Sequence, residues 1–95
     1  MPDNDPPTPT IATITDNAIA ICDSTTLTDT EKLEQIEPLL SDIDDLTSSI
    51  EIEEELTNCW DELESNNSTS QKVTNVKIIL QRIRVLIQQQ GGGSE

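Results

Sequence analysis

The sequence contains no histidine, no tyrosine and no phenylalanine, has a single tryptophan (Trp60), and sets five cations against 19 carboxylates. Without histidine or tyrosine, the commonest general base and the phenolic acid are missing. Ser–His–Asp and Cys–His nucleophile arrangements are excluded with them. Two cysteines, Cys22 and Cys59, are too few to bind zinc by Cys/His ligation. The only glycines, Gly91, Gly92 and Gly93, stand near the end of the chain, so there is neither a phosphate-cradling loop nor the loop glycine of an EF-hand. Asp42, Asp44 and Asp45 form an Asp-x-Asp-Asp cluster. The carbocation chemistry that uses such a pattern needs a large apolar cavity, which a chain this short does not build, so the cluster reads as a solvated helix face.

No stretch approaches the ~18 apolar residues that a membrane-spanning helix requires. The first residues hold prolines and aspartates where a secretion signal needs positive charge followed by an apolar run. The expectation is a soluble, cytoplasmic, non-catalytic protein without metal or cofactor. In that compartment the two cysteines read as small buried apolar residues, with a disulfide as the alternative.

What is present is carboxylate, and it is unevenly placed. Between Asp29 and Glu64 there are fourteen carboxylates and one cation, Lys32. From Asn66 to Ser94 there are four cations (Lys72, Lys77, Arg82, Arg84) and no acid. The formal net charge of −14 repels nucleic-acid phosphate and anionic lipid over most of the surface and favours cationic partners. Direct nucleic-acid binding is therefore not expected.

Apolar periodicity and turn chemistry divide the chain. Residues 1–10 are proline-rich and polar and read as a disordered arm; residues 90–95, with their glycine run, read as a flexible tail. Residues 11–27 are ambiguous. Ile11, Ile14, Ala18 and Ile21 fit a helical stripe, Ile19 and Ile21 alternate as in a strand, and a short helix is preferred because a lone strand has nothing to pair with.

Residues 28–89 read as the bundle proper. Three potential capping boxes open apolar runs: Thr28 with Glu31, Ser48 with Glu51, and Ser68 with Gln71. The first run is Leu33, Ile36, Leu40, Ile43, Leu46 and Ile50, interrupted by Pro38, which either kinks or splits the helix. Ile52, Leu56, Cys59, Trp60 and Leu63 form the second face. Val73, Val76, Leu80, Ile83 and Ile87 form the third, with Ile78, Ile79, Val85 and Leu86 making that helix apolar on more than one side. The expected fold is all-α, a small bundle of three main helices near 29–47, 49–65 and 69–89, with a short N-terminal helix as a possible addition.

The charge pattern predicts that the basic third helix pairs with the two acidic ones, within a chain or between subunits. The functional expectation is a protein–protein interaction module, a small acidic adaptor or regulatory subunit. Glu53, Glu54 and Glu55 would meet a basic partner surface, and Trp60, Ile79 and Leu86 an apolar one. Two alternatives stay open: an inhibitor that mimics nucleic acid with rows of carboxylates, and a homo-oligomeric element with the third helix as a coiled-coil core.

Overall fold

A computed structural model describes residues 10–89; the arm at 1–9 and the tail at 90–95 lie outside the described residues. It contains four helices rather than three: α1 (Ile11–Asp23), α2 (Asp29–Leu46), α3 (Ile50–Glu64) and α4 (Thr69–Gln89). No strand occurs among the described residues.

Local sequence explains each start. Thr10, the last residue of the expected arm, caps α1 by accepting from the Thr13 amide at 3.2 Å. Thr28 and Glu31 form a complete capping box on α2, at 3.1 Å and 2.9 Å. On α3 the cap is Ser49, not Ser48. Its hydroxyl accepts from the Ile52 amide at 3.4 Å, so the helix begins one residue later than the Ser48–Glu51 spacing implies. Ser68 accepts from the Gln71 amide at 3.2 Å, while the Gln71 side chain turns forward to Asn75 and leaves that box half-made.

Pro38 neither splits nor ends α2, which runs unbroken from Asp29 to Leu46. Pro38 and Glu34 are both exposed, so the carbonyl deprived of its amide donor lies on the solvent side, where water can satisfy it.

Short connections at 24–28, 47–49 and 65–68 turn each helix back on the last. Side-chain pairs fix the directions. Lys77 meets Asp23 and, seven residues on, Arg84 meets Asp16, so α1 and α4 are antiparallel. Asn75 meets Glu62 and, seven residues on, Arg82 meets Glu55, so α3 and α4 are antiparallel too. α2 and α4 each touch every other helix, whereas no Cα pair between α1 and α3 comes within 8 Å. The fold is an up-down-up-down four-helix bundle in which α1 and α3 sit on opposite sides of the α2–α4 contact.

The core runs along this contact. Ile36, Leu40, Ile43, Val76, Leu80 and Ile83 are fully buried, flanked by Ile14, Ala18, Ile19 and Cys22 of α1 and by Ile52, Leu56 and Cys59 of α3. α1 is therefore a full member of the core, not an appendage. Its isoleucines add apolar area to a core otherwise built of small aliphatics with Trp60 at its edge, at about 25 cal/mol per Å² removed from water. Thr15, wholly buried, donates to the Ile11 carbonyl at 2.8 Å, which removes the penalty of an unpaired hydroxyl.

The expected α2 seam ends early. Leu33, Ile36, Leu40 and Ile43 are buried, but Leu46 and Ile50 point outward because the helix stops at Leu46 and Thr47 takes the next inward position.

Candidate interaction surface

α4 organises the electrostatics of the bundle. Lys77 and Arg84 reach Asp23 and Asp16 on α1, the latter at 3.2 Å. Arg82 reaches Glu55 on α3 at 3.5 Å. Lys72 donates to the Leu63 carbonyl at 2.8 Å, a cation placed on the negative end of α3. Two of the four cations thus pair with α1, whose aspartates lie outside the acidic block. Among the described residues, no cation of α4 forms an ion pair with a carboxylate of α2. The basic helix does pack against both acidic ones through the shared core, but its ion pairing with them is limited to Arg82–Glu55 on α3.

The consequence is a two-sided molecule. Helices α1 and α4 together hold two carboxylates and four cations, net +2; α2 and α3 hold fourteen carboxylates and Lys32, net −13. Folding does not neutralise the acidic segment. Glu34, Glu37, Asp42, Asp44 and Asp45 on α2 and Glu53, Glu54, Asp61 and Glu64 on α3 are all exposed. Besides Glu31 in its capping box and Glu55 on Arg82, Glu62 is locally organised. Glu62 accepts from Asn67 at 2.6 Å and from Asn75 at 3.0 Å, and these hydrogen bonds hold its carboxyl below the usual glutamate range.

Of the six residues singled out by sequence, Glu55 and Leu86 share a groove, and the six do not form one surface. Glu53 and Glu54 are exposed on the outer face of α3. Glu55 turns inward to Arg82. Trp60 is half-buried and packs on the edge of the core. The structure places Ile79 inside the core at 7 % exposure, so it is not a surface residue. Leu86 is half-buried and lines a shallow groove of about 390 Å³ together with Glu55, Ile78, Gln81, Arg82 and Val85. Ile78 and Val85 are the exposed aliphatics of α4, each about half accessible. Sequence reasoning registered both only as part of an all-round apolar helix. Their seven-residue separation on the side away from Val76, Leu80 and Ile83 was the signal available.

The cysteines carry no exposed chemistry. Both are buried and unbonded, and burial pushes the Cys22 thiol up to about 11 and the Cys59 thiol up to about 12. The expectation of free, buried thiols holds. α1 and α3 keep their Cα atoms more than 8 Å apart, beyond the reach of a disulfide without backbone movement.

Among the described residues, no group of three or more potential ligands could hold a metal ion, and no helix is long and apolar enough to cross a membrane. Comparison with protein-family models, curated proteins and solved structures finds no match to this chain.

Proposed function

We propose that this protein is a non-catalytic interaction module whose α2/α3 layer engages a cationic surface on a protein partner. The observation that carries this reading is the net −13 of that layer, which persists after α4 has directed two of its cations to α1. An unbalanced layer of this kind raises association rates with cationic surfaces and discriminates against acidic ones. It also works against the stability of the bundle through self-repulsion.

The test is affinity capture with the full chain, comparing wild type with the paired change Glu53→Gln and Glu54→Gln. The expected result is a basic protein that elutes as salt is raised and binds the variant more weakly. Capture indifferent to both salt and variant would overturn the reading.

A second reading, an inhibitor that imitates nucleic acid, draws on the outer face of α3. Beyond Ile50 its exposed residues are all polar, and five of them are acidic: Glu51, Glu53, Glu54, Asp61 and Glu64. It is the better reading if the captured protein is a nucleic-acid enzyme that this chain inhibits in competition with its substrate.

A further inference from the structure

At one end of the bundle the start of α1, the end of α2, the start of α3 and the end of α4 come together. They surround an open pocket of about 330 Å³ whose apolar walls are Ile11, Ala12, Leu46, Ile52 and Ile87. Hydroxyls on its rim are engaged by the chain's own backbone. Thr10 accepts from the Thr13 amide, Thr47 from the Ser49 amide at 3.1 Å, and Ser49 from the Ile52 amide. Among the described residues no charged side chain lines the pocket. What it offers an incoming chain is aliphatic surface, continued outward by Leu46 at 49 % and Ile50 at 71 % exposure on the elbow between α2 and α3.

The border on the α2/α3 side is anionic. Asp42 lies one turn before Leu46 on the same helical face, and Glu53 and Glu54 lie one turn after Ile50. All three carboxylates are exposed. Asp44 and Asp45 stand in the last turn of α2, which holds no basic residue, so they add to the negative end of the helix dipole. No cation occurs between Lys32 and Lys72 to offset them. On the α4 side the cation nearest in sequence is Arg84, three residues before Ile87, and Asp16 holds it.

We propose that this end of the bundle receives a basic amphipathic segment of a partner protein. An aliphatic or aromatic side chain of that segment enters the pocket, and flanking Lys or Arg side chains meet Asp42, Asp45, Glu53 and Glu54. The inference rests on the reading of α2/α3 as a layer for a cationic partner, and adds to it a place and an apolar anchor. Charge complementarity selects the occupant: an acidic segment would find the same aliphatic walls but be repelled at the rim. An apolar anchor in a pocket carries most of the affinity of such a contact, while rim charges set the encounter rate and the choice of partner.

The probe is a synthetic helical peptide with Leu along one face and Arg on either side of it, titrated into the isotope-labelled full chain while amide shifts are followed. The control peptide has the same charge with Ser in place of each Leu. The expected result is shift changes concentrated at 11–12, 46–52 and 87, with affinity about tenfold or more weaker for the control peptide. Ile50→Ser, alone and with Leu46→Ser, weakens binding of the Leu peptide without changing helix content by circular dichroism. Asp42→Asn with Glu53→Gln weakens it chiefly at low salt. Shift changes spread along the acidic faces of α2 and α3, or equal affinity for the two peptides, would overturn this proposal and leave the cationic-partner reading standing. Nuclear Overhauser effects from residues 1–9 into the pocket of the free chain would assign it to the chain's own arm, and self-association abolished by Ile50→Ser would assign it to a second copy; either would overturn the proposal.

Discussion

Raising the salt concentration stabilises this bundle, the opposite of what a fold held together by ion pairs would do. Six like-charge pairs lie at helical neighbour spacing: Glu31–Glu34, Glu34–Glu37 and Asp42–Asp45 on α2, and Glu51–Glu54, Glu51–Glu55 and Asp61–Glu64 on α3. At about 0.2–0.5 kcal/mol each they destabilise the fold by roughly 1–3 kcal/mol at low salt. The ion pairs Arg84–Asp16, Arg82–Glu55 and Lys77–Asp23 are solvent-accessible and offset only part of this, since exposed pairs contribute little. The long-range repulsion of α2 against α3 has no such opponent, so screening favours the folded state. Urea is the denaturant of choice because guanidinium is itself a salt. Going from a Debye length of about 30 Å at 0.01 M to about 3 Å at 1 M should raise unfolding stability by about 1–3 kcal/mol. For a domain of this size each kcal/mol corresponds to about 4–8 °C in Tm. Replacing Glu34, Glu37, Glu53 and Glu54 by Gln lowers the charge of the α2/α3 layer from −13 to −9 and, since self-repulsion scales roughly with the square of the charge, should roughly halve the response. Stability that falls with sodium chloride, or a variant with an undiminished response, would refute the reasoning.

The remaining predictions concern the core, one carboxylate and the thiols. Ile14→Ala in α1 should cost about 2–5 kcal/mol in urea unfolding, as Ile83→Ala in α4 does, whereas Ile50→Ala should stay within about 0.5 kcal/mol; a negligible effect at Ile14 would make α1 peripheral after all. The Glu62 carboxyl titrates below its ordinary 4.5 in the folded state, so its contribution is present above that value and is lost as pH falls through the folded-state pKa. The stability gap between wild type and Glu62→Gln should therefore be widest at neutral pH and close in acid, and a gap that widens in acid would contradict the assignment. Cys22 and Cys59 should react with a thiol reagent at pH 8 only as fast as the protein opens, and at once in urea; rapid labelling of the native protein would show that they are not buried.

Much of the architecture was legible because helix signals here are local. Thr28 with Glu31, and Ser68 with the Gln71 amide, mark two starts, and the Val73–Ile83 spacing marks the buried side of α4. α1 was harder to read. Its isoleucines and threonines are β-branched, and what makes it helical is burial of Ile14, Ala18, Ile19 and Cys22 against α2 and α4, a tertiary effect. The pairing of α4 with α1 was hidden for a related reason. Asp16 and Asp23 are two isolated acids in an apolar segment, inconspicuous beside fourteen in a block, yet their spacing matches Lys77 and Arg84. Ile78 and Ile79 show the limit of periodicity: adjacent isoleucines on one helix, one exposed and one buried, are separated only by which neighbours α4 acquires.

Methyl and side-chain nuclear Overhauser effects in solution test the central claim most directly, since they report which helix lies beside α4. The account predicts contacts from α1 to both α2 and α4, with residues around Asp16 near those around Arg84 and residues around Asp23 near those around Lys77. Random-coil shifts across 11–23, or an α4 whose cations face α2 instead, would contradict it.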